Sequence, residues 1–244
     1  MMSRVNSISP LRFPARATAV ALLTILLLAA LGCAGVPKPR EPFIPGATVE
    51  TLAAAVSLSV QTPEGSSGGT GYLLYRRPDR FHLVMLTPFG STALEFFVRD
   101  DRVTVLFPSK GVAYAGSLAD LPARGGLQGW RMMRWVLEGA PLFLPGAPRT
   151  VERTDAEGGE TTTLYDGDGL LRRKISGDGE ATYRDYQSAG GVAFPAVIEF
   201  TDPHGVRVKI TFDEPEVNGP VDDAALTPNL EGLTLLPLAS LRGT

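Results

Sequence analysis

The sequence is poor in the side chains that most often perform chemistry, with 1 cysteine and 2 histidines among 244 residues. A lone cysteine makes no intramolecular disulfide. His82 and His204 show no His-x-x-x-His spacing and have no second cysteine with which to share a metal. Positive charge is scarce too: 23 Lys and Arg stand against 26 Asp and Glu, a formal net charge of −3. That balance argues against nucleic acid and against an electrostatic grip on anionic lipid. Internal repeats and a domain-splitting linker are also missing.

Acidic residues are absent from the first 32 positions, which carry Arg4, Arg12 and Arg16 ahead of an apolar stretch from Ala17 to Leu31. That stretch has the length of a signal-peptide core and is short for a spanning helix. It ends in "AALGC", so residues 1–32 read as a signal peptide. The ending resembles the bacterial lipobox, whose cysteine is acylated and becomes the new N-terminus. The resemblance implies Cys33 as a lipidation site, and Ala34 in place of Asp after it implies routing to the outer membrane. The alternative, an ordinary signal peptide with an incidental cysteine, leaves a free thiol in an oxidising compartment. Loss of three basic residues with the signal leaves 20 against 26, a mature net charge of −6.

Residues 33–47 hold four prolines and little periodicity, as expected of an extended tether. Residues 48–244 suit a single domain, and 44% apolar residues in the chain allow a sizeable core. Val49–Ala55 reads as a short helix on its alanines. Strand signals then follow at Val56–Thr62, Gly71–Arg76, Arg80–Leu86, Thr92–Arg99, Arg102–Phe107 and Gly111–Ala115. The short turn-like breaks between them mark an antiparallel meander. Phe81, Leu83 and Met85 share one face, as do Leu94, Phe96 and Val98, yet the opposite faces are partly apolar as well. Such strands belong to a sheet covered on one side and bounding a core or cavity on the other.

Leu127–Glu138, "LQGWRMMRWVLE", has helical spacing at Trp130, Met133 and Leu137. This stripe either fills the core or faces a cavity, where methionine adapts to varied apolar ligands. Further strands are expected near Thr150–Thr154, Glu160–Tyr165, Gly169–Ser176, Ala181–Tyr186, Val192–Thr201 and Val206–Phe212. Pro195 suggests an edge position or a bulge, and Leu233–Leu238 a closing strand. The fold class is mainly β (α+β): a sheet or open barrel of about eleven strands with a helical cover.

Enzyme signals are weak. "GSSGG" at Gly65–Gly69 matches a nucleophile elbow, but a strand follows where that motif needs a helix, so it reads as a flexible hairpin loop. "DGDG" lacks the remaining ligands of a calcium loop. The two histidines read as surface or turn residues. No cofactor, metal or catalytic residue is implied. One turn is unusual: Thr87-Pro88-Phe89-Gly90 fits a type I turn with a large apolar ring at its tip, where small or polar residues are the rule.

Three stretches taken together carry a family resemblance. "RFHLVMLTPFGSTALEFF" is similar to the strand–turn–strand of the LolB family of outer-membrane lipoprotein receptors. "MMRWVLEGAPLFLPG" resembles that family's Trp-bearing helix, and "YRDYQSAGGVAFPAVIEFTDPHGVRVKITFDE" its late hairpin. The tail "VDDAALTPNLEGLTLLPL" is closer to the closing segment of the related periplasmic carriers, the LolA family. The resemblance implies an unclosed antiparallel β-barrel with helices in its opening, around an apolar cavity for the acyl chains of client lipoproteins. Leu83, Met85, Leu94, Phe96, Trp130, Met133 and Leu137 are the candidate lining. Pro88, Phe89 and Gly90 fall on the family's membrane-insertion loop. The implied partners are lipoprotein acyl chains, a LolA-like carrier and, through Cys33, the membrane; the protein is expected to act as a monomer. Carriage of another lipid or glycolipid, or a structural role without ligand, are the alternatives.

Overall fold

The computed structural model describes residues 44, 46–121, 135–136, 144–154 and 158–241, all within one compact unit spanning 40–244. Thirteen strands, rather than about eleven, form one sheet: β1 (Thr51–Thr62), β2 (Gly65–Arg76), β3 (Arg80–Leu86), β4 (Thr92–Arg99), β5 (Arg102–Phe107), β6 (Val112–Ser117), β7 (Arg149–Thr154), β8 (Glu160–Tyr165), β9 (Leu171–Ser176), β10 (Gly179–Ala189), β11 (Val192–Thr201), β12 (Arg207–Val217) and β13 (Thr234–Pro237). Their order is β13-β6-β5-β4-β3-β2-β1-β12-β11-β10-β9-β8-β7. Every ladder is antiparallel except the outermost, where β13 runs parallel to β6. Among the described residues β13 and β7 do not pair, so the sheet is unclosed.

Two short expectations fail for physical reasons. Thr51–Ala55 is strand, not helix, because Leu52, Ala54 and Val56 are buried while their neighbours are not. That period-2 pattern is satisfied by ladders to β2 and β12 on either side, and pairing of this kind outweighs alanine's helix propensity. "GSSGG" is likewise no loop. The hairpin turns on Pro63 and Glu64 alone, and Gly65–Gly69 already pairs with β1. A Cβ at Gly68 would lie 2.6 Å from the Leu58 carbonyl oxygen, and one at Gly71 1.8 Å from that of Val84. The glycines serve close backbone approach inside a strand.

Pro195 sits in β11 opposite Tyr186 of β10. The β11–β12 ladder covers only Val197–Thr201, so Pro195 occupies an edge-like stretch where its missing N–H costs no ladder bond.

One face of the sheet carries a single apolar cluster drawn from both halves. It joins Leu52, Leu73, Leu83, Phe96, Val103 and Val105 to Tyr183, Ile198, Phe200, Ile210 and Phe212. A flat sheet of thirteen strands could not bring β5 and β10 into one cluster; strand twist curls it around its inner face. The outer face differs between halves. On β9–β12 it is polar, with Arg173 paired to Glu180, and Arg184 and Arg207 to Glu199.

On β1–β6 the outer face is crossed by the chain after β12. Asn218, at φ +61°, accepts from the Glu50 N–H (2.8 Å) and donates to the Thr48 carbonyl (3.0 Å). Asp223 then meets Arg76 and Arg80. Leu226 is buried, and Leu233 packs on Phe97, Leu106 and Ala113. The chain next pairs as β13 and turns Leu238 into the inner cluster, beside Gly116. The expected closing strand is therefore the end of a strap.

Candidate functional site

The turn between β3 and β4 is built from its own polar atoms. The Gly90 N–H donates to the Thr87 carbonyl (2.9 Å) and the Thr87 N–H to the Ser91 carbonyl (2.8 Å). The Thr87 and Ser91 hydroxyls lie 2.8 Å apart. Gly90 takes φ +81°, a conformation that suits glycine. The ladder shifts register between Met85 and Leu86. These constraints hold the tip, and Phe89 at that tip is 97% exposed. Strand register puts it at the rim that also carries the turns at Pro63-Glu64 and Pro108–Lys110. There Lys110 Nζ stands 5.1 Å above the Phe107 ring.

The opposite rim receives the N-terminal side of the domain. The Ile44 N–H donates to the Gly191 carbonyl (2.8 Å) in the β10–β11 turn. β1 begins at this rim, with Thr51 beside Arg76. The described chain thus enters the domain at the end of the sheet away from Phe89.

Between the rims the inner face is apolar. Leu83 and Phe96 are fully buried, Met85 is buried, and Leu94 packs against the same cluster. Phe81 meets Phe96 edge-on, with centroids 6.3 Å apart. Of the expected helix, Trp135 and Val136 are described and are helical; Trp130, Met133 and Leu137 lie outside the described residues, as does Cys33. Val136 is buried in the inner cluster and its carbonyl accepts from the Tyr183 hydroxyl (2.9 Å). Trp135 lies edge-on to Phe200 at 6.5 Å, and buried Lys174 donates to its carbonyl (2.5 Å). Burial pushes the Tyr165 hydroxyl up to about 12 and those of Tyr183 and Tyr186 further. The hydroxyls of Tyr183 and Tyr186 are neutral donors, to the carbonyls of Val136 and Leu171.

His204 lies in the exposed turn after β11. His82 contradicts the surface reading. It is buried on the outer face of β3, with its ring stacked on Phe97 at 3.8 Å and 13°. Its Nδ1 lies 2.7 Å from the Ala225 carbonyl and its Nε2 3.0 Å from Glu95 Oε2. The sequence carries no sign of this, because the covering strap is over 140 residues away. Among the described residues no group of His, Cys, Asp and Glu could hold a metal, and no helix is long and apolar enough to cross a membrane.

Comparison with known proteins supplies the frame for these features. The family model described as outer membrane lipoprotein LolB matches residues 51–214. No curated protein matches the sequence. Among solved structures, a DUF1329 family protein from Desulfovibrio piger is similar, with TM-score 0.55, 13% identity, and coverage of 74% of this chain and 90% of that one. At that identity the likeness shows the fold. A LolA superfamily protein from Nitrosomonas europaea aligns with TM-score 0.43 and 11% identity over 77% of this chain and 93% of its own. An outer membrane lipoprotein-sorting protein domain from Vibrio parahaemolyticus, described as putative, gives 0.45 and 10% over 72% and 88%.

Proposed function

The chain belongs to the LolB family, and we propose that it is an outer-membrane lipoprotein that takes up the acyl chains of client lipoproteins and helps insert them into the outer membrane. The observation that carries this reading is Phe89. A side chain of its size gains roughly 1.5–3 kcal/mol on leaving water, yet a well-tied turn holds it in solvent at 97% exposure. That gain is then available to an apolar phase met by the rim.

The roles divide as follows. Cys33, acylated after removal of residues 1–32, anchors the protein through the tether of residues 33–47. The inner face, with Leu83, Met85, Leu94 and Phe96, accepts acyl chains together with the segment that carries Trp130, Met133 and Leu137. Pro88, Phe89 and Gly90 form the element that enters the bilayer where cargo leaves. A LolA-like periplasmic carrier delivers the client. No step in this cycle makes or breaks a covalent bond, so no catalytic residue is required.

Magnitudes separate anchoring from delivery. Each buried acyl CH₂ contributes about 0.8 kcal/mol, so lipid on Cys33 far outweighs one phenyl ring. Phe89→Glu should leave the protein folded and membrane-attached but impair transfer of a lipoprotein into liposomes. Cys33→Ala should still accept clients from the carrier. Transfer by Phe89→Glu at the wild-type rate would count against the insertion role.

A further inference from the structure

We infer that the strap of residues 218–241 is fastened by a shared-proton latch, His82 and Glu95, which holds it when the pair carries two protons and loosens it when the pair carries one. The Ala225 carbonyl can only accept, so the bond at 2.7 Å requires a proton on Nδ1. Glu95 Oε2, 3.0 Å from Nε2, accepts when ionised. Both contacts therefore form together only if the imidazole is doubly protonated or the Glu95 carboxyl is protonated. With a neutral ring and an ionised carboxylate, one nitrogen must present its lone pair to an oxygen. The charge-assisted bond to Glu95 is the stronger of the two, so the ring keeps it and gives up Ala225. Stacking on Phe97 fixes the plane of the ring between the two acceptors.

The other charged groups around the strap have hydrogen-bond partners of their own. Arg76 of β2 and Arg80 of β3 both bind Asp223, whose carboxyl is held below its usual range by the hydrogen bond from Arg76. The Asp222 carboxylate accepts from the Ala224 N–H (3.0 Å). Facing residues on β2 and β4, Leu74 and Phe97, are uncharged. The latched state holds one proton more than the unlatched state. Rising pH therefore favours release. Release matters because the strap ends in β13, Leu238 and Leu241, which cover the β6 edge and enter the inner cluster.

The inference stands on this geometry and needs no lipid, so it can fail or hold independently of the receptor role. The test is amide hydrogen exchange on the intact protein at about pH 5.5 and about pH 8, read at Leu226, Thr227 and Thr234 and referenced to amides inside β10 and β11. In wild type the strap should lose about tenfold in relative protection at the higher pH, the worth of a hydrogen bond to a charged group. Glu95→Gln supplies an amide N–H to a neutral ring, so both contacts form at either pH and the loss should vanish. His82→Phe keeps the stack and should leave the strap loosely protected at both. Equal pH behaviour in wild type and Glu95→Gln would overturn the latch, whether or not His82→Phe folds.

Discussion

Phe89 and Phe96 lie in the same hairpin and illustrate two opposite uses of an aromatic ring. Phe96 has no exposed surface, and Phe96→Ala should cost about 3–5 kcal/mol in urea unfolding. Phe89 contributes nothing to the core, so Phe89→Glu should change stability by less than about 0.5 kcal/mol. A large loss of stability in Phe89→Glu would mean that the ring packs in solution. Gly71 makes a third residue-level case. A Cβ there would meet the Val84 carbonyl oxygen at 1.8 Å, so β2 and β3 would have to separate. Gly71→Ala is expected to destabilise by roughly 2–4 kcal/mol, at the upper end for a single substitution.

At the scale of elements, the hairpins were legible and the strap was not. β3, β4, β5, β8 and β11 begin and end where apolar runs meet "RPD", "TPFG", "RDD" and similar breaks, because short turns and period-2 burial leave local marks. β1 is only half marked in the sequence, since alanines that favour a helix in isolation face two pairing partners distant in sequence. The strap left only a proline-broken tail and an apolar run. Its contacts with Thr48, Arg76 and His82 span more than 140 residues, and no local pattern encodes such distances. The Phe89 turn was visible as an oddity, whereas the burial of His82 was invisible for the same reason as the strap.

Asn218 tests the strap's start. It holds φ +61° while bonding Thr48 and Glu50. Asn218→Gly removes the side-chain bonds but tolerates the backbone; Asn218→Ala loses both. Thermal unfolding should rank wild type above Gly and Gly above Ala, with roughly 1–3 kcal/mol lost in the alanine variant. Equal values for Gly and Ala would mean that the left-handed conformation costs nothing here.

For the molecule as a whole, the inner cluster is apolar apart from Lys174 and a few buried hydroxyls, and those hydroxyls make its stability sensitive to alkali. Burial pushes the Tyr165 hydroxyl up to about 12 and raises Tyr183 and Tyr186 as well. A raised folded-state value contributes stability that is intact below the ordinary tyrosine range. That contribution is lost as pH climbs from about 10 through about 12. Tyrosinate absorbance followed with urea midpoints should show the two changing together above about pH 10. On the acid side, Asp223 is held below its ordinary range first by its hydrogen bond from Arg76. The strap's grip at that rim therefore persists through the carboxylate range and is lost only as pH falls through the lowered value.

Acyl-chain uptake by the apolar interior and delivery through Phe89, as proposed, are tested together by one measurement. An acylated lipoprotein bound to a LolA-like carrier is mixed with the intact protein and liposomes, beside the same client lacking its acyl chains. Transfer to the protein and then to the liposomes should occur for the acylated client alone, with Phe89→Glu accepting it and failing at the second step. Absence of any acyl-dependent transfer to the folded protein would contradict the account.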